Sequence, residues 1–171
     1  MQIKQIQVAP DPLQDRLLLR ISTNSNEEVR VFLTRRFLRE LWPHLMKMLG
    51  GHLGINQPSL GARENPPSGH FDQPFQNENP NFPLGSTPLL PAEVRIEPAG
   101  PGVCKLIFSE LKERSFTLSL NADLMQALCA MLRASSGQSN WDLALDYGAG
   151  APGAPGTPGD AHEGSGKATL H

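Results

Sequence analysis

The chain has little of what usually announces a function. Only 2 of its 171 residues are cysteine, too few for a disulfide framework or a multi-cysteine zinc site. No apolar run nears the ~20 residues a membrane-crossing helix needs. The opening Met1-Gln-Ile-Lys-Gln-Ile has no apolar stretch of the kind a secretion signal carries. The expectation is a cytoplasmic protein with no membrane partner. Charge of one sign is also missing: 15 Lys/Arg face 17 Asp/Glu, a net of −2, so global charge selects no polyanionic partner. The five histidines show no metal-ligand spacing, and no Ser/His/Asp set, Gly-rich phosphate loop, Cys-x-x-Cys or His-Glu-x-x-His motif is present. Catalysis, a cofactor and a bound metal are therefore not expected.

What is present is a repeat. Residues 15–50 slide onto residues 102–137 without a gap, an offset of 87. Only six of the thirty-six positions are identical: Leu19/Leu106, Ser22/Ser109, Leu33/Leu120, Leu41/Leu128, Leu45/Leu132 and Gly50/Gly137. The pattern matches better than the letters. Leu17/Leu19/Ile21 falls on Cys104/Leu106/Phe108, and Val29/Val31/Leu33 on Phe116/Leu118/Leu120. With one residue of slippage, Ile6–Pro10 falls on Val94–Pro98. A repeat at this period fixes an architecture rather than an activity.

Each unit reads as β-β-β-α. In the first, a strand near Lys4–Val8 stops at Pro10 and Pro12. Leu17, Leu19 and Ile21 then alternate with Leu18 and Arg20, the period of a half-buried strand. Ser22–Asn26 is a turn, and Glu28–Leu33 pairs back as a hairpin. Thr34 is a helix cap, and Phe37, Leu38, Leu41, Leu45 and Met48 follow at helical spacing up to Gly50-Gly51. Pro43 lies inside this pattern, which predicts a kink or two short helices. The second unit has strands near Glu93–Glu97, Val103–Ser109 and Ser115–Leu120, then a helix capped by Asn121. Trp141-Asp-Leu-Ala-Leu should pack back on the core, as should Trp42, Cys104 and Cys129.

Three strands and one helix make a thin core alone. The expected fold class is α+β: two β-β-β-α repeats packed as one pseudo-twofold domain, with a long irregular linker and a disordered C-terminal tail. The boundaries are 1–51 for the first repeat, 52–91 for a Pro/Asn-rich linker, 92–147 for the second repeat and 148–171 for a Gly/Pro/Ala tail. The oligomeric state is left open.

Two features point to binding. Residues 1–49 carry eight Lys/Arg against five Asp/Glu, and residues 92–147 five against seven. The face of the first sheet opposite its helix carries Arg16, Arg20, Arg30 and Phe32, and Arg35, Arg36 and Arg39 follow at the start of the helix. Guanidinium groups around an aromatic suit a protein interface, or the phosphates and bases of a single strand. At the level of topology, strands followed by a helix in repeat resemble the Whirly single-strand-binding fold; no motif of that family is matched. The second feature is Phe71, Phe75 and Phe82 in an otherwise polar linker. Apolar anchors there dock either on a partner or back on this chain. The sequence thus implies a non-enzymatic binding or adaptor module making contacts with another protein. Single-stranded nucleic-acid binding on the Arg face is the alternative.

Overall fold

The computed structural model describes residues 2–54, 74–111 and 114–147. Phe71 and the tail lie outside them. Strands β1 (Ile3–Pro10), β2 (Arg16–Thr23) and β3 (Glu28–Thr34) precede helix α1 (Arg35–Gly50). Strands β4 (Glu93–Pro98), β5 (Val103–Ser109) and β6 (Ser115–Asn121) precede helix α2 (Ala122–Gln138). The fold is α+β, with two three-stranded antiparallel sheets ordered β1-β2-β3 and β4-β5-β6.

Alternation sets the registers. Leu19 pairs with Val31, and Leu106 pairs with Leu118, each the same step along its repeat. Slipping either hairpin by one residue would turn its whole apolar set to the wrong face. Asn26 takes the left-handed conformation, φ 58°, that closes the β2–β3 turn.

The helices begin where polar side chains satisfy free backbone donors. The Phe37 N–H donates to Thr34 Oγ1 at 3.2 Å, and the Leu124 N–H to Asn121 Oδ1 at 2.9 Å. Helix α1 runs through Pro43 without a break. Pro43 is exposed, so the carbonyl it leaves without a donor can face water. The helix stops at Gly51, where a Cβ would sit 2.9 Å from the Lys47 carbonyl oxygen.

The two units interlock. Helix α2 flanks β1, and α1 flanks β4, so each helix serves the first strand of the other repeat. Ser135 Oγ donates to the Val8 carbonyl at 3.0 Å, closing part of the β1 edge. The indole N–H of Trp42 donates to the Asp146 carbonyl at 2.9 Å, and that of Trp141 donates to Asp15 Oδ1. His52 Nε2 bonds the carbonyls of Gly100 and Val103 at 2.9 and 2.8 Å, tying the end of α1 to the β4–β5 hairpin. One apolar cluster includes Leu19, Leu33 and Leu45 from the first repeat and Leu106, Leu120 and Leu132 from the second. Trp141 and Leu145 join it, so the segment after α2 is part of the core. Cys104 and Cys129 are free and buried. Burial raises both thiols, that of Cys129 to about 12, which leaves them unreactive.

Candidate functional site: the arginine face of the first sheet

On the side of the first sheet away from the core, β2 presents Arg16, Leu18 and Arg20, and β3 presents Glu28, Arg30 and Phe32. The register sets Arg20 opposite Arg30 and Leu18 opposite Phe32. Two arginines facing each other across a ladder repel. Glu28 resolves this. Its Oε1 accepts from Arg20 Nε at 2.9 Å and from Arg30 Nε at 2.7 Å. Asn77 Nδ2 donates to its other oxygen at 3.2 Å. Burial alone would push the Glu28 carboxyl up; the three hydrogen bonds outweigh it and hold the pKa below the ordinary value.

Residues 74–91 lie over this face as a strap. The Phe75 ring sits under the Arg20 guanidinium, 3.9 Å from carbon to ring centre, and Phe82 under that of Arg30 at 4.5 Å. Both are cation–π distances. The strap also pairs its main chain in parallel with the outer edge of β3, through Glu27 with Asn81 and Val31 with Leu89. The Glu28 N–H donates to the Asn81 carbonyl and the Asn81 N–H to that of Asn26, at 2.8 and 2.9 Å. The Leu89 N–H donates to the Arg30 carbonyl and the Phe32 N–H to that of Leu89, both at 2.8 Å. Leu89 is 1% exposed. The second repeat holds the strap as well: Arg114 Nη1 donates to the carbonyls of Leu84 and Thr87, and Glu110 binds Arg114 at 2.7 Å.

The structure therefore gathers Arg20, Arg30, Phe75 and Phe82, and docks the two phenylalanines on this chain's own sheet. Glu28 and Asn77 belong with them and were not singled out by sequence reasoning. The signal for Glu28 was available: it shares strand parity with Arg30 and Phe32. Asn77 carries no such signal. At the far end of the face Arg16 stacks over Phe32 at 5.3 Å. Arg35 and Arg39 are exposed beyond it, and among the described residues no ion pair includes either. Arg36 pairs with Glu40 at 2.9 Å, with both side chains mostly in solvent, a contact of small worth.

A separate cleft of about 410 Å³ lies between α1 and β4, lined by His44, Lys47, Met48, His52, Val94 and Ile96 among others. Among the described residues no group of His, Cys, Asp and Glu could hold a metal ion. No helix among them is long and apolar enough to cross a membrane. Comparison of the chain with protein-family models, with curated proteins and with solved structures returns no match.

Proposed function

We propose that this chain is a non-enzymatic adaptor whose first repeat binds an extended segment of another protein on its arginine face. The observation that supports this is the strap. An extended chain adds to the β3 edge by main-chain hydrogen bonds while two of its aromatics stack on Arg20 and Arg30. That is peptide recognition by strand addition, carried out within one molecule. A partner segment with similarly spaced aromatics would compete with residues 74–82, whose phenylalanines are only half-buried. The two repeats act in this reading as one pseudo-twofold domain. Its two free buried thiols suit a reducing, cytoplasmic setting.

The test uses a labelled synthetic peptide of residues 74–89 and the full-length chain. Phe75→Ala with Phe82→Ala weakens the strap, and this variant should bind the peptide more tightly than the wild type. Adding Arg20→Ala and Arg30→Ala should abolish binding. A peptide ignored by the Phe variant would end the proposal.

A second reading has its own support. Arg16 over Phe32, with Arg35 and Arg39 close by in sequence, leaves a cationic end beside an aromatic outside the strap's stacking contacts. Single-stranded nucleic acid would use such a patch. Its signature is an affinity that falls steeply with salt and loses part of that slope in Arg16→Ala with Arg35→Ala. A salt-independent affinity excludes it.

A further inference from the structure

Among the described residues the two sheets have four strand edges, and three of them are protected. The β1 edge lies against α2, with Ser135 bonded to the Val8 carbonyl. The strap pairs with the β3 edge. The β4 strand carries the exposed charges Glu93, Arg95 and Glu97 and ends in Pro98, the usual guards of an open edge. The β6 strand has none of these. Its outward side chains, Ser115, Thr117, Ser119 and Asn121, are uncharged and exposed. Among the described residues its outer edge has no backbone partner.

The repeat says what such an edge accepts. At the offset of 87, β6 is the counterpart of β3, and Ser119 that of Phe32, whose N–H donates to the Leu89 carbonyl. Ser119, Leu120 and Asn121 open onto a cleft of about 520 Å³ whose other walls are Val103 and Leu124 and, from the first repeat, Gln2, Ile3 and Asn24. The side chains that select the occupant differ between the repeats. Arg20 and Arg30, which hold the strap's phenylalanines, are replaced by Ile107 and Thr117, themselves cross-strand partners. Neither position carries a guanidinium; the cations nearest to them on this face are Arg95, across from Ile107 and paired with Glu93, and Lys105, across from Ser119.

We propose that the β6 edge and this cleft form a second peptide-binding site. Its ligand is an extended, uncharged segment of a partner protein, running parallel to β6. The segment carries an aliphatic residue, rather than an aromatic one, where the strap has Leu89. The β6 edge lies on the other repeat from the arginine face, the first repeat supplies only one wall of the cleft, and the site stands or falls separately from that face.

The probe is a synthetic peptide of strap residues 85–90, Gly-Ser-Thr-Pro-Leu-Leu, added to the isotope-labelled full-length chain and followed by amide chemical shifts. The β3 edge is already filled by the chain's own copy of this segment. Expected are saturable shifts confined to residues 115–121 and Leu124. Ser119→Pro removes the donor that would hold the ligand and should weaken binding roughly tenfold or more. A control on the peptide side needs no change to the fold: aspartate for the leucine matching Leu89 should abolish the shifts. Absence of shifts at millimolar peptide, shifts on residues 28–32 instead, or an equal response to the aspartate peptide would overturn the site. So would dimerisation of the unliganded chain through β6, which would assign the edge to a second copy.

Discussion

Glu28 decides the chemistry of the arginine face. It is 1% exposed and joins two guanidinium groups that would otherwise face each other with like charge. Its folded pKa is lowered, so its ionised form is favoured by folding. That contribution is complete above the unfolded carboxylate pKa, near 4.5, and is lost as pH falls through the lower folded value. Thermal melts from pH 7 to pH 3 should show stability dropping below about pH 4.5, with a smaller drop in Glu28→Gln. An equal pH dependence in both proteins would mean that other carboxylates set it; Glu110, also lowered by its bonds from Arg114, is the next one to test. Glu28→Ala removes the shared acceptor and should cost about 2 kcal/mol at neutral pH, less than a fully buried pair because both arginines keep partial contact with water. Strand alternation makes the arginines of this face legible in sequence. That a neighbouring acid would neutralise them depends on register, on side-chain reach and on the strap that shields the pair.

At the level of elements, the strands, caps and helix ends follow from local chemistry. Thr34 and Asn121 sit where the two-residue period gives way to the helical one, and each accepts the backbone donor three residues on. Thr34→Ala and Asn121→Ala should each lower stability by about 1 kcal/mol, measured by urea denaturation. A loss near zero in either would show that tertiary packing alone holds that helix start. Pro43 marks where local reasoning stops. A proline removes one hydrogen bond wherever it stands in a helix, but the cost depends on whether the freed carbonyl meets water or core. Exposure, not sequence, settles that in favour of a continuous α1. The linker aromatics are a similar case. Their presence in a polar stretch announces docking, and only the fold reveals Arg20 and Arg30 as the docking points of Phe75 and Phe82. Phe71 lies outside the described residues.

The whole molecule is held by one apolar cluster drawn from both repeats and by helices that each flank the other repeat's first strand. Such a core should unfold as a unit. The two tryptophans, one in α1 and one after α2, allow a direct check. Single-tryptophan versions made by Trp42→Phe and Trp141→Phe should each give one urea transition, the same by fluorescence as by circular dichroism. Leu45→Ala should lower both by about 3 kcal/mol. A fluorescence transition that departs from the circular dichroism in either version would mean that the repeats unfold separately.

The sequence by itself determined the periodic parts of this protein. Apolar residues two apart must share a sheet face, and those three and four apart must share a helix face. Their recurrence at an offset of 87 therefore dictated two β-β-β-α units. The tertiary structure decided which surfaces are occupied. It laid residues 74–91 across the first sheet, placed Glu28 between Arg20 and Arg30, and, among the described residues, gave the outer edge of β6 no backbone partner. The placement of the strap rests on contacts between residues about fifty positions apart in the chain, such as Glu28 with Asn77. No local period encodes such a pairing, because only the closed fold brings its two ends together.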